Sequence, residues 1–345
     1  MNLKDLSKSL GLSQTTVSRA LNGYPEVAER TRERVLSAAS QHDYRPNSRA
    51  KGLATGRSMA IGHVIAFSNQ PEIVNPIFGD FVSGCADVYA RYGYDTLLSI
   101  VKEADETRTY RELCGRGAVD GVIIHSPLCN DPRIALLHNL GLPFVVHGRS
   151  SDVTAPYAFV DVNNRRAFLR ATGFLLDLGH RRIALLNGPE ACDFAFRRRA
   201  GFEQALTEQG VAADPRLMRS GAMTEQYGYT ATLDLLNAAP APTAFVVSSL
   251  MIAYGVRRAI EEAGLKLGRD VSLVSYDDEL SYIENAGPVP SFTTTRSSVR
   301  KAGNCAATLL IDLIANRTSP EDAARKSQML EAELIVGQST GPAPE

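Results

Sequence analysis

The 345-residue chain reads as an α/β protein: two doubly wound parallel-sheet lobes behind an N-terminal all-α helix-turn-helix domain. Three observations predict this. From Ser58 onward, short apolar segments alternate with amphipathic ones, the signature of repeated βαβ units. Before that point, leucines recur at helical spacing on either side of a glycine turn, which gives two short helices back to back. Charge divides between the same two regions: residues 1–57 hold ten Lys/Arg and five Asp/Glu, and the remaining 288 hold 27 and 33. A basic head on an acidic body suggests that the head meets a polyanion.

The bulk properties narrow the class. A chain this long exceeds one hydrophobic core, so two or three domains are expected. The 44% hydrophobic and 22% charged composition is that of an ordinary globular protein. No apolar run approaches the roughly 18–20 residues of a membrane span, so no membrane partner is expected. The start Met1-Asn2-Leu3-Lys4-Asp5 places an acid, then Ser7 and Lys8, where a signal peptide needs an apolar stretch; the expectation is a cytoplasmic protein. Cys85, Cys114, Cys129, Cys192 and Cys305 are odd in number and widely spaced, with no CxxC pair. That argues against a disulfide framework or a zinc site and predicts buried free thiols. The six histidines form no HxxxH pattern. There is no P-loop, GxSxG or HExxH, and Gly115, Gly117 and Gly121 miss the dinucleotide-binding spacing by one residue. Neither an enzyme nor a cofactor is therefore expected.

In the head, Leu3, Leu6 and Leu10 mark one face of a first helix that Asn2 can cap. Gly11 supplies the left-handed turn that ends it, Leu12 is the apolar turn residue, and Ser13 caps a second helix, Gln14–Asn22. Val17, Ala20 and Leu21 face inward there, leaving Gln14, Thr15, Ser18 and Arg19 on the outer side. Gly23-Tyr24-Pro25 ends the helix. A third helix, Glu29–Gln41, is expected to close a small core with Val35, Leu36 and Ala39, and Thr31 and Arg32 start it where a phosphate could sit. The thin, polar, basic second helix suits the major groove of DNA. Arg19 can bond guanine in bidentate fashion, Gln14 can do the same with adenine, and Thr15 can bond a base or touch a thymine methyl.

The stretch Leu3-Lys4-Asp5-Leu6 … Gly11-Leu12-Ser13-Gln14-Thr15-Thr16-Val17-Ser18-Arg19-Ala20-Leu21-Asn22 … Thr31-Arg32-Glu33-Arg34-Val35-Leu36 … Tyr44-Arg45-Pro46-Asn47 resembles the DNA-binding head of the LacI/GalR repressor family. The resemblance implies base reading by Gln14, Thr15 and Arg19, phosphate contacts from Ser18, Asn22 and Thr31, and a folded pocket around Tyr44. It further implies that the segment after Pro46 is a hinge helix that orders on DNA, with Leu53 wedged into the minor groove. Gly52 costs such a helix about 1 kcal/mol relative to alanine. The alternative for this segment is a flexible linker with one exposed leucine.

In the body the expected elements run strand Ile61–Phe67, helix Phe78–Tyr92, strand Thr96–Val101, helix Thr107–Arg116, strand Val119–Ile124, helix Ile134–Leu140 and strand Pro143–Val146. The pattern then restarts with helix Arg165–Leu178, strand Ile183–Leu186, helices Phe196–Gln209 and Glu225–Leu236, strand Ala244–Val247, helix Ala253–Ala263 and strand Val271–Tyr276. In such lobes ligands gather at the carboxyl ends of the strands, here in a cleft between the lobes.

The body resembles the same family's sensor domain, itself similar to type I periplasmic sugar-binding proteins. Asn75-Pro76-Ile77-Phe78, Val119-Asp120-Gly121, Leu178-Gly179-His180-Arg181-Arg182-Ile183-Ala184, Arg198-Arg199-Ala200-Gly201-Phe202 and Tyr276-Asp277-Asp278 carry the likeness, which covers about residues 2–337. It implies an effector gripped by Arg198 with Asp277 opposite, since a guanidinium fork and a carboxylate together hold vicinal hydroxyls. Ile77 and Phe78 match a contact segment. His125 and Ser126, and His147 and Arg149, follow strand ends, while Phe194 and Phe196 precede Arg198 and could stack on a sugar. Tyr227 is a further candidate. For Arg198 and Asp277 an interlobe ion pair is the alternative reading, and for His125 and His147 a satisfied structural histidine. The sequence departs from the family at Met223, where an aromatic floor is common, and at Ser249-Leu250, where an Asn-Asp pair is usual. Ser248 or Ser249 can cap the following helix instead. That side of the pocket becomes more apolar. An effector with a hydrophobic part, or a phosphate on Arg149 or Arg198, stays open.

The organisation expected is a helix-turn-helix domain at 1–46, a hinge at 47–57 and an effector-binding and dimerisation domain at 58–337. Within it, one lobe takes about 58–158 and 292–320, the other about 159–291 and 321–337, and a disordered tail follows at 338–345. The function expected is that of a homodimeric, sequence-specific transcription regulator, usually a repressor. It would bind a pseudo-palindromic double-stranded operator under control of a small, sugar-like effector. A periplasmic solute-binding protein would share the body but not the head.

Overall fold

The computed structural model describes residues 2–21, 23–42, 44, 57–67, 76–276, 279–281, 283–285 and 288–344. The chain divides into two compact units, one of Met1–Met59 with Gly117–Val119, which holds the head, and one of Ala60–Arg116 with Asp120–Glu345, the body.

The head is built of α1 (Leu3–Leu10), α2 (Gln14–Leu21) and α3 (Glu29–Gln41). Asn2 closes a capping box with Asp5: its Oδ1 accepts from Asp5 N at 2.9 Å and its own N–H reaches the Asp5 carboxylate. Gly11 ends α1 at φ +65°, and Leu12 N donates back to Ser7 O at 3.0 Å, the left-handed stop that favours glycine. Ser13 Oγ accepts from Thr16 N at 3.0 Å and so starts α2. The core is Leu6, Val17, Ala20, Val27, Val35 and Ala39, with Leu3, Leu10, Leu12, Leu21 and Tyr44 packed around it. Leu36, expected in that core, is instead 48% exposed, and Val27 fills the place. Val35 and Ala39, four apart, turn to the core, and Leu36, about 100° round the helix from Val35, lies at the edge of that face and stays exposed.

Among the described residues the body contains two six-stranded sheets and a two-stranded antiparallel ribbon of β10 (Glu279–Leu280) and β11 (Ile283–Glu284). The first-lobe sheet uses β1 (Ala60–Phe67), β2 (Asp95–Lys102), β3 (Gly121–Ile124), β4 (Phe144–His147), β5 (Phe159–Val162) and β13 (Gln328–Leu330), in the order β13-β5-β4-β3-β1-β2, all parallel. The second-lobe sheet uses β6 (Ile183–Asn187), β7 (Met218–Ser220), β8 (Ala244–Val247), β9 (Ser272–Tyr276), β12 (Thr293–Arg296) and β14 (Glu333–Ile335), in the order β14-β12-β9-β8-β6-β7, parallel except for β14. Each sheet reverses its winding beside its first strand, between β1 and β3 and between β6 and β8. The carboxyl ends at such a reversal splay apart and leave a crevice.

Helices α4 (Pro76–Tyr92), α5 (Glu106–Gly115) and α6 (Pro132–Leu140) belong to the first lobe; α7 (Asn164–Asp177), α8 (Asp193–Glu208), α9 (Glu225–Leu236) and α10 (Leu250–Glu262) to the second. α11 (Val299–Asn316) packs on α4. Their backbones come close enough that a Cβ on Gly84 would lie 2.0 Å from Arg300 O, and one on Gly303 2.1 Å from Phe81 O. α12 (Pro320–Arg325) leads into β13.

The lobe boundaries differ from those expected. β5 pairs with β4 through Val146–Phe159 and His147–Val160, so the first lobe runs on past residue 158. β12 pairs with β9 in the second lobe, although residues 292–320 were assigned wholly to the first. β13 pairs with β5, through Gln328–Val160, in the first lobe, although 321–337 was assigned to the second. Three-to-four-residue strands at a crossing carry no period of their own, and only their pairing assigns them. The tail is not disordered either. Leu273 N donates to Ser339 O at 2.8 Å, Ser339 Oγ donates to Leu273 O at 2.6 Å, and Ala343 N donates to Leu178 O at 2.9 Å. Buried His180 anchors it through Nε2, 3.1 Å from Gly341 O. Of the cysteines only Cys85 is fully buried; the other four are partly exposed thiols.

Candidate functional sites

On the head, the residues of α2 expected to read bases lie where a partner can reach them. Gln14, Thr15 and Arg19 are exposed, and Ser18 is half-buried beside them. The Arg19 guanidinium sits 3.7 Å from the Glu26 carboxylate with both side chains about half exposed, 52% and 50%. Such a pair contributes little. Thr31 is half-buried in the first turn of α3. The N-cap there, Ala28, offers no side-chain acceptor to the first-turn amides, which suits an external anion. Arg32 pins the preceding turn through Tyr24 O at 2.9 Å and Glu29 at 2.7 Å, a role the sequence did not single out. Asn22 and Leu53 lie outside the described residues.

In the body, a cavity of about 150 Å³ opens at the carboxyl ends of both sheets. Ile77, Phe78, His125, Ser126, His147, Phe194, Arg198 and Met223 line it. Arg149 and Ser249, two further candidates, do not line it. Arg149 is turned to the Asp161 carboxylate, Nε to Oδ2 at 2.7 Å, and Ser249 caps α10 by accepting from Ile252 N at 3.3 Å. Phe196 is 51% exposed, away from the cavity, because residues three or four apart share a helix face and those two apart do not, so Phe194 is the one that lies with Arg198. Tyr227 is not in the lining. Asp277 lies outside the described residues. The sequence reading missed Asp161, Asn164 and Ser248, and also Ser297, Val299 and Ala302, which line the cavity as well. Asp161 and Asn164 flank the end of β5, a short strand defined by its pairing; Ser297 lies just before α11, and Val299 and Ala302 lie in its first turn.

The first-lobe wall is a cluster of imidazole and phenyl rings. His147 stacks on Phe81 at 4.0 Å between centroids, and His125 receives Phe78 and Phe81 edge-on at 5.2 and 5.1 Å. Behind them lies His63, fully buried, with Nδ1 3.0 Å from His125 Nε2 and Nε2 3.1 Å from Tyr89 Oη. Burial lowers His63 and His147 to about 4. It also holds His125 well below its ordinary value, with further lowering from His63, His147 and Arg133. All three rings are therefore neutral near pH 7. Arg133 fixes the loop that follows His125. It bonds Asp131 at 2.6 Å, Glu106 at 2.8 Å and His125 O at 3.0 Å, and Ser126 next door holds φ +46°, a left-handed conformation that non-glycine residues adopt at some cost.

The second-lobe wall centres on Arg198, 6% exposed. Its guanidinium donates to Asn164 Oδ1 and Ser248 O, both at 2.8 Å. It lies over the rings of Tyr276, Phe194 and Phe168 at 3.9, 4.7 and 5.3 Å. Asn164 Nδ2 reaches Asp161 Oδ1 at 3.3 Å, so one hydrogen-bonded chain runs Arg149–Asp161–Asn164–Arg198–Ser248 along the floor from lobe to lobe. Burial raises the Asp161 carboxyl while Arg149 pulls it down. At the flanks, Ser151 N donates to Asp193 Oδ2 at 2.7 Å and Ser281 N to Asp80 Oδ2 at 2.7 Å. The serine hydroxyls bond the same carboxylates. A floor of linked polar groups under aromatic faces can bind a ligand with both hydroxyls and apolar ring surfaces.

Residues 2–47 match the family of bacterial regulatory proteins of the lacI type, and residues 172–340 match the periplasmic binding protein-like domain. The HTH-type transcriptional regulator AglR of Rhizobium meliloti is 46% identical over 348 residues, covering 100% of this chain and 96% of that one. The chain belongs to the LacI family. This LacI-family protein is also 36% identical to the transcriptional regulator RafR of Escherichia coli, over 93% of this chain and 94% of the other. Among solved structures it resembles the lac repressor dimer bound to operator and the anti-inducer ONPF, with a TM-score of 0.84, 27% identity and 99% of each chain covered. It also resembles the regulator CelR in complex with cellobiose, with a TM-score of 0.73, 28% identity and 98% and 99% covered. The LacI-family chain is thus a DNA-binding transcription regulator whose body is an effector-binding domain of the periplasmic-binding type. Among the described residues no helix is long and apolar enough to cross a membrane.

Proposed function

We propose that this regulator is a cytoplasmic homodimeric repressor that binds a pseudo-palindromic operator and is controlled by an uncharged sugar of disaccharide type. The observation that carries the effector reading is the cavity itself. Its polar floor is a continuous hydrogen-bonded chain around Arg198, and its upper walls are rings and neutral imidazoles. An uncharged ligand is favoured over a phosphorylated one because Arg149, the other candidate cation, already holds Asp161. The cellobiose in the complex of the similar CelR agrees with this class.

In this reading Gln14, Thr15 and Arg19 contact base edges, and Ser18, Asn22 and Thr31 contact phosphates. Leu53 enters the minor groove once the hinge orders. Base contacts supply specificity and phosphate contacts supply register. Effector and operator communicate by linkage: each prefers one arrangement of the lobes, and each biases the other's affinity by the same factor.

The test is a thermal-shift screen over neutral disaccharides and trisaccharides, cellobiose included, beside sugar phosphates. A ligand that prefers the folded body raises its melting temperature. Neutral sugars are expected to do so; a shift confined to sugar phosphates, or none at all, would overturn the effector reading. Sedimentation at micromolar concentration is expected to show a dimer.

A further inference from the structure

The cavity's first-lobe wall depends on a residue that cannot touch a ligand. His63 in β1 is fully buried behind the wall and is absent from the lining. Both its ring nitrogens are engaged, Nδ1 with His125 Nε2 at 3.0 Å and Nε2 with Tyr89 Oη at 3.1 Å. A neutral imidazole carries one N–H and one bare nitrogen, so the two bonds must run in one direction. Either Tyr89 donates to His63 and His63 donates to His125, or His125 donates to His63 and His63 donates to Tyr89. The first leaves His125 with its proton on Nδ1, the second with a bare Nδ1. Among the described residues no group bonds His125 Nδ1, and none bonds either ring nitrogen of His147. Nδ1 is therefore the one nitrogen of His125 open to a ligand.

A phenol is a far stronger proton donor than a neutral imidazole N–H, and an imidazole nitrogen is a better acceptor than a phenol oxygen. The neighbouring Cys85 thiol gives its proton to Gly303 O at 3.2 Å; its sulfur is also in hydrogen-bond reach of Tyr89, but sulfur is a weak acceptor beside an imidazole nitrogen, so the phenol proton goes to His63. The relay thus starts at Tyr89.

We propose that Tyr89 and His63 are positioning residues that lock His125 as its Nδ1–H tautomer, so that the cavity presents a hydrogen-bond donor there and selects an effector with an acceptor oxygen at that point. This rests on the cavity being the effector site. Burial that keeps the three imidazoles neutral is consistent with it, since a protonated ring would donate from both nitrogens and carry no such choice. Ring packing against Phe78 and Phe81 holds His125 in one orientation.

The experiment is long-range proton–nitrogen NMR of the full-length protein with labelled histidine, His125 being assigned by the signal lost in His125→Asn. Wild type is expected to show His125 as a single Nδ1–H tautomer. Tyr89→Phe removes the source of the relay and is expected to move His125 toward Nε2–H. His63→Asn, whose amide can turn either way, is expected to leave a mixture. In parallel, calorimetry with cellobiose, maltose and raffinose is expected to show about tenfold weaker binding of whichever sugar wild type binds, in both variants. His125 found as Nε2–H in wild type, or unmoved in both variants, would overturn the proposal. If none of these sugars, and no neutral sugar of the thermal-shift screen, binds wild type, the sugar reading falls, while the tautomer measurement still decides the lock.

Discussion

The two candidate sites of this protein are built on opposite principles. On α2 of the head, Gln14, Thr15 and Arg19 project into solvent, and the ion pair that Arg19 makes, with Glu26, is long and half exposed. In the body, Arg198 is buried, bonded on two sides at 2.8 Å and lies over three rings. The head's side chains gain their hydrogen bonds only from a partner, whereas those of the body are already arranged around a cavity. The first design suits a polyanion that brings its own dense charge and releases counterions. The second suits a small ligand, whose few contacts must not be spent on reorganising the site. Substitutions of the exposed α2 side chains Gln14, Thr15 and Arg19 should therefore change binding and leave stability alone; substitutions at the cavity should change both.

Four predictions break or sharpen this contrast. The largest effect on binding is expected for Arg198→Ala. It removes the donors to Asn164 Oδ1 and Ser248 O as well as those facing the sugar. Calorimetry should record a loss of about 2–5 kcal/mol in sugar affinity, roughly thirty-fold or more, together with a lower melting temperature. Operator affinity without sugar should hold. An unchanged melting temperature would break the claim that binding and stability are coupled in the body.

Acid should come next, and only in the body. His63 and His147 titrate at about 4 when folded, below the ordinary value near 6.5. Between those two values the unfolded chain binds more protons, so stability falls as pH falls through that window and levels off below about 4. The slope is about 1.4 kcal/mol per pH unit for each ring. Urea denaturation from pH 7 to pH 4, with His147→Gln as the control of shallower slope, measures it. A flat profile would mean that these rings are hydrated.

Arg19→Ala should cost about 1–3 kcal/mol at one base pair of each half-site with no change in melting temperature. Equal losses on operator and random DNA would reduce Arg19 to a phosphate contact. The smallest effect is expected for Ser13→Ala, about 1 kcal/mol of head stability from the lost cap on Thr16 N, with sugar affinity untouched. A change in sugar binding there would show that the head and body are coupled without DNA.

How much of this was legible beforehand differs between the regions for a physical reason. In the head every signal is local. The Asn2 cap, the Gly11 stop, the Ser13 cap and the spacing of Leu3, Leu6 and Leu10 act within a few residues, and a short helix shows its exposed face in its own sequence. Even there Leu36 was misplaced, because a one-residue rotation is invisible until Val27 takes the space. In the body, the order of strands and helices and the ligand-bearing strand ends were readable, since βαβ alternation and switch-point crevices follow from the chain's period.

What the sequence by itself determined was therefore the family, the fold class and the neighbourhood of the cavity. Tertiary structure alone decided where the chain crosses between lobes, because β5, β12 and β13 are defined by pairing and not by pattern. It decided that Phe194 and not Phe196 faces the cavity, and that Arg149 is held by Asp161. It also decided that Ser339, Gly341 and Ala343 fasten the tail to His180, Leu273 and Leu178. Each is a contact between residues distant in sequence, whose strength depends on burial and geometry that no local window contains.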